Sequence, residues 1–165
     1  MLNRSRRVVS WPLVALTPLI LSGCSLGLEL GLGYDKVIRG IDAGFAPSAS
    51  MSLLLAGSTD NGRVVVGGIG GTALGELGEG GETMAVAGQT LTYASRGFMG
   101  SLEAGVGELK TADGTESGFG LGLFLGRGFV LGPMAVGIGP RLTTVSPNAS
   151  LSVGGQARAV LLFWH

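Results

Sequence analysis

Two residues in this chain could supply chemistry that no other position duplicates: Cys24, the sole cysteine, and His165, the sole histidine. A thiol can serve as a nucleophile or accept an acyl group, and an imidazole is the commonest general base near neutral pH. His165 ends the chain, a poor place to hold a positioned base. A lone cysteine forms no intrachain disulfide, and a lone histidine argues against a histidine-based metal site. Acidic pairs Glu79/Glu82 and Asp113/Glu116 could bind Ca²⁺ weakly, but solvated loop charge accounts for them more simply. Val64-Val65-Val66 followed by Gly68-Ile69-Gly70-Gly71-Thr72-Ala73 superficially matches a dinucleotide-binding fingerprint. Such a site needs a helix N-terminus facing the pyrophosphate and an acid ~20 positions on. Gly88-Gln89-Thr90 stands there instead. Gly67, Gly71 and Gly75 have glycine-zipper spacing, in an apolar run far too short for a spanning helix, so 71–82 reads as a flexible loop. No catalytic, cofactor or metal-binding residue is expected on these grounds.

Cys24 gains meaning from what precedes it. Arg4, Arg6 and Arg7 lead into an apolar run from Val8 to Leu21, and Leu21-Ser22-Gly23-Cys24 follows. This arrangement resembles a bacterial lipoprotein signal peptide, with Leu21, Ser22 and Gly23 resembling the lipobox of the lipoprotein signal peptidase. The resemblance implies cleavage before Cys24 and diacylation of its thiol. Ser25, rather than Asp, follows the cysteine; in the enterobacterial lipoproteins this resembles, that favours sorting to the outer membrane. An uncleaved spanning helix is disfavoured, because the run contains Pro12 and Pro18 and falls short of ~20 residues. Ser5-Arg6-Arg7 resembles a twin-arginine signal more distantly, and Val8-Val9-Ser10 departs from that pattern. Two or three acyl chains at ~0.8 kcal/mol per buried CH₂ make a stable anchor.

Residues 1–23 are therefore set aside from the fold. Of the eleven basic residues three lie there, leaving eight against eleven acids and a net charge of −3. That balance argues against a nucleic-acid partner. The remaining 142 residues suffice for one domain and hold 31 of the 32 glycines. Each glycine inside a helix costs ~1 kcal/mol relative to alanine, so a helix bundle is disfavoured. The chain is also too apolar for a disordered tail.

Period-two alternation dominates the rest. Leu26, Leu28, Leu30, Leu32 and Tyr34 oppose Gly27, Glu29, Gly31 and Gly33. Phe119, Leu121, Leu123 and Leu125 oppose glycines, and Leu151, Val153, Ala157, Ala159, Leu161 and Phe163 oppose Ser152, Gly154, Gln156 and Arg158. Successive strand side chains point to opposite faces, so these are strands. Eight are expected from residue 36 onward, at roughly 36–46, 49–58, 63–70, 83–94, 97–109, 118–126, 129–142 and 149–164. Tight turns are expected at 59–62, 95–97 and 127–128, and longer polar loops at 71–82, 110–117 and 143–149. The expected fold is all-β: a small antiparallel up-and-down barrel spanning 36–165. Residues 24–35 are expected to form a lipidated N-terminus with a short linker or extra strand; a strand at 25–34 either joins the barrel while two others merge, or pairs outside the wall near the lipid.

A soluble sheet with a glycine outer face would expose weak, sticky backbone. A membrane barrel instead turns the apolar face to lipid and lines its narrow interior with the small and polar face. Glu29, Glu103, Arg141, Gln156 and Arg158 are then candidate interior groups, and burial requires that their charges pair. Ala157, Ala159, Leu161 and Phe163 resemble the terminal-strand signal of outer-membrane barrels, although Trp164 and His165 extend past the aromatic. That resemblance implies the outer-membrane assembly machinery as a partner, beside lipoprotein-processing enzymes and outer-membrane lipid. Lipid-modifying barrels of that membrane use a histidine, a serine and an acid, and no internal histidine is present to fill that role. The reading is a lipid-anchored outer-membrane protein with a structural or surface-interaction role. The competing reading is a periplasm-facing lipoprotein whose soluble barrel or sandwich binds a lipophilic ligand or an envelope partner.

Overall fold

The computed structural model describes residues 26–39, 45–60, 62–77, 82–111, 113–146 and 150–164. Eight strands follow one another: β1 (Leu26–Arg39), β2 (Phe45–Asp60), β3 (Arg63–Leu77), β4 (Glu82–Ser95), β5 (Phe98–Thr111), β6 (Gly114–Leu131), β7 (Met134–Val145) and β8 (Ser150–Trp164). Each pairs antiparallel with the next, and β8 pairs with β1 to close the barrel. Closure leaves no strand edge with unpaired N–H and C=O groups. The seam runs from Leu26↔Trp164 to Arg39↔Leu151, with register shifts at Leu26/Gly27 and Val37/Arg39.

Both described termini lie at one end of the barrel, here the turn end, beside the hairpins at 61–62, Arg96-Gly97 and Gly132-Pro133. The opposite end, the tip, carries the connections at 40–44, 78–81, 112–113 and 146–149. Gly97 and Gly132 adopt φ of 88° and 60°, and a Cβ at either would meet nothing. Their requirement is conformational alone.

Several boundaries differ from expectation. Of the two places expected for the 25–34 strand, the barrel wall is the observed one for its described residues: β1 runs unbroken from Leu26 to Arg39, so the barrel begins at 26 rather than 36. The run 36–46 is divided between the end of β1 and the start of β2, with 40–44 outside the described residues. Tyr34-Asp35 looks like a break in composition, yet Asp35 is buried and keeps the inward register of Glu29. The expected loop 71–82 is mostly β3 and β4, because Thr72 and Leu74 still point inward among small residues that blur the alternation. The fingerprint at 68–73 and the zipper glycines therefore lie in a strand, without the helix either motif needs. The polar stretch 110–117 is largely strand extension of β5 and β6 with exposed side chains. Arg127-Gly128 lies within β6, where Gly128 packs close to Phe98 and Met99; the turn falls at Gly132-Pro133.

Candidate functional site

The barrel is apolar outside and layered inside. Leu32, Phe45, Met51, Ile69, Val106, Phe119, Phe129, Ile138 and Phe163 are among the large apolar side chains exposed on the wall, with Leu32 71% and Phe45 73% accessible. Strands of 12 to 18 residues exceed the ~9–11 tilted residues needed to cross a bilayer. Exposed aromatics stand at both ends of this belt. Tyr34, Phe45 and Phe119 lie toward the tip, and Tyr93, Phe98, Phe129 and Phe163 toward the turn end. Lys36 lies over the Phe45 ring, 5.5 Å from its centroid.

Inside, an apolar cluster fills each end. Leu54, Val64, Val66, Ala94, Met99, Phe124, Ala135, Val160 and Leu162 close the turn end. Val37, Ala46, Leu74, Met84, Val86, Leu109 and Val145 close the tip. Between them lies a polar layer, and an eight-stranded barrel is only wide enough for such side chains. Among the described residues the lumen is thus filled by side chains.

Glu29 on β1, Glu103 on β5, Arg141 on β7, and Gln156 and Arg158 on β8 all meet in that layer, each at most 4% exposed. Arg158 is its hub. Its Nη1 donates to Glu29 Oε1 at 2.7 Å and to Ser101 Oγ at 2.8 Å, and its Nη2 to Glu103 Oε1 at 2.7 Å. Its Nε donates to Gln156 Oε1 at 2.6 Å, and the guanidinium lies 5.0 Å from the Phe124 ring centroid. Glu103 Oε2 also accepts from Arg141 Nη2 at 2.9 Å and from Thr72 Oγ1 at 2.8 Å. Thr92 Oγ1 sits 2.6 Å from Glu29 Oε2 and 2.8 Å from Ser101 Oγ, and Gln156 Nε2 donates to Ser50 Oγ at 3.3 Å. Glycine makes room for these large groups. A Cβ at Gly122 would come 2.9 Å from Glu103 Oε2 and 3.1 Å from Arg141 Nη2.

Asp35 belongs to the same interior and is fully buried, yet neither carboxylate oxygen has a hydrogen-bond partner among the described residues. Arg141 Nε and Nη1 and the hydroxyls of Ser48, Thr143, Ser150 and Ser152 are likewise unpartnered. Three buried carboxylates therefore face two guanidiniums. Sequence reasoning missed Asp35, together with Thr72, Thr92, Ser101 and Phe124; parity with Glu29 was the available signal for Asp35.

Leu21, Ser22, Gly23, Cys24, Glu79 and His165 lie outside the described residues. Asp113 and Glu116 are exposed near the tip, and no group of three or more His, Cys, Asp or Glu converges on a metal position among the described residues. The polar layer is a network of buried, hydrogen-bonded side chains.

The barrel resembles the crystal structure of Neisserial surface protein A at 13% identity and a TM-score of 0.60, covering 85% of this chain and 99% of that one. The likeness is one of fold. Ail, the attachment invasion locus protein of Yersinia pestis, is 13% identical with the same coverages and a TM-score of 0.48. No protein-family model matches the chain, and no curated protein matches it in sequence.

Proposed function

We propose that this protein is an integral outer-membrane β-barrel, tethered additionally through acyl chains on Cys24, with a structural or surface-contact role and no catalysis. The observation that carries this reading is the inversion of the wall: large apolar side chains are exposed all round, while Glu29, Asp35, Glu103, Arg141 and Arg158 are sealed within. In water that belt would be a severe aggregation hazard; in a bilayer it meets hydrocarbon, and the end aromatics suit the headgroup level. The name of the Neisserial neighbour, a surface protein, accords with a surface role. Because the loops expected at 71–82 and 110–117 are largely strand, contact with partners falls to short connections at the tip. Lipidation rests on the Leu21-Ser22-Gly23-Cys24 motif, and Cys24 stands two positions before β1.

The test is mobility of the detergent-extracted protein on a denaturing gel with and without boiling. A folded membrane barrel shifts on heating; identical mobility in both lanes would sink the integral-barrel reading and favour a soluble β-module on a tether. Metabolic labelling with a palmitate analogue, lost in Cys24→Ser, checks the anchor separately.

A further inference from the structure

The turn end of the wall carries two exposed arginines, with one acid, Asp60, opposite the first of them in the ladder. Arg63 opens β3 immediately after the β2–β3 turn, and Arg96 lies in the β4–β5 turn. Both are exposed. With Gly62, Tyr93 and Ser95 they line an outer-surface cavity of about 280 Å³. Arg96 spans the gap between the two hairpins: its Nε comes 4.0 Å from the place a Cβ on Gly62 would take.

The level of this cavity in the wall is marked independently. Tyr93, 36% exposed, packs against Phe98 with ring centroids 6.1 Å apart at 43°. Paired aromatics with an apolar body and one hydroxyl sit where hydrocarbon gives way to headgroups. Directly along β3 and β4 from the cavity, exposed Ile69 and Leu91 continue an apolar track toward the middle of the wall.

We infer that this cavity binds the phosphate of an anionic phospholipid from the leaflet at the turn end, its acyl chains lying along Ile69 and Leu91. The inference rests on the membrane reading above. Guanidinium forks match phosphate oxygens bidentately, and the Tyr93 and Ser95 hydroxyls are further donors. Even with Asp60 opposite Arg63, the two guanidiniums leave a net positive charge, which an anionic headgroup neutralises and a zwitterionic one does not. Asp60 stands opposite Arg63 in the β2–β3 register, and its removal is a useful opposing variant.

The folded protein, placed in nanodiscs of mixed phosphatidylethanolamine and phosphatidylglycerol, is released into a mass spectrometer and its retained lipids are counted. The expected result is selective retention of phosphatidylglycerol, falling roughly tenfold or more in the double variant Arg63→Gln/Arg96→Gln, as loss of two charge-assisted donors requires. Arg127→Gln, an exposed arginine on β6 outside the cavity, and Asp60→Asn should both keep it. Equal retention by wild type and the double variant overturns the inference while leaving the barrel reading intact. Inorganic phosphate shielding Arg63 and Arg96 from a guanidinium-directed reagent where phosphatidylglycerol does not would assign a free anion and overturn it too. Absence of a heat-dependent gel shift in the wild type would fell both readings together.

Discussion

At the scale of single residues, the interior network makes opposite predictions for two acids of the same charge. Glu103 holds both guanidiniums and Thr72, so Glu103→Gln leaves Arg141 without its carboxylate and Arg158 with Glu29 alone. Breaking a buried pair from one side costs about 3–5 kcal/mol. Asp35 accepts no hydrogen bond among the described residues, so Asp35→Asn removes a buried carboxylate whose oxygens are unsatisfied and should raise stability. Urea unfolding of the barrel in vesicles, followed by Trp164 fluorescence, reads both signs. A loss of stability in Asp35→Asn would mean the carboxylate is paired, with Arg141 the nearest candidate. Gly122→Ala makes a third case. Its Cβ would press on the Glu103–Arg141 pair, and overpacking of that kind costs about 1–3 kcal/mol.

At the scale of the element, each strand is a two-sided object whose faces answer to different solvents. Leu32→Arg places a charge on the outer face of β1 at mid-strand, which near a bilayer midplane costs about 2–4 kcal/mol. On a soluble barrel the same change would be neutral, so the unfolding midpoint in vesicles discriminates. The hairpins offer a cleaner experiment. Gly97→Ala should cost about 1–2 kcal/mol and Gly97→Asn much less, because asparagine tolerates positive φ and nothing crowds the position. Strand parity was also what sequence could convey best. Alternation around Glu29, Glu103 and Arg158 placed them on the small-residue face without structural help. Strand ends were less legible wherever small or polar residues carried the pattern, as at Thr72-Ala73-Leu74 and Thr115-Glu116-Ser117. Composition suggested loops there, whereas ladder pairing with Val86 and Lys110 continued the sheet. Cutting β1 at Tyr34 cost the reading Asp35, the one interior acid whose place depends on counting past that point.

At the scale of the whole molecule, Cys24→Ser should abolish acylation but leave the heat-dependent gel shift, because the apolar belt alone suits the bilayer. The layered lumen makes ion conductance in planar bilayers an unexpected result, since apolar clusters occupy both ends. The seam between β1 and β8 carries a consequence for biogenesis. Leu26 and Trp164 are partners across nearly the whole chain, and so distant a pairing is slow to form. The first strand must wait, half-bonded, until the last arrives. Any polypeptide ending early, through a nonsense codon or a protease, cannot seal, and presents two raw edges to its surroundings. The order of the strands thus acts as a completeness check: only a full-length translation product can become inconspicuous to the degradation machinery.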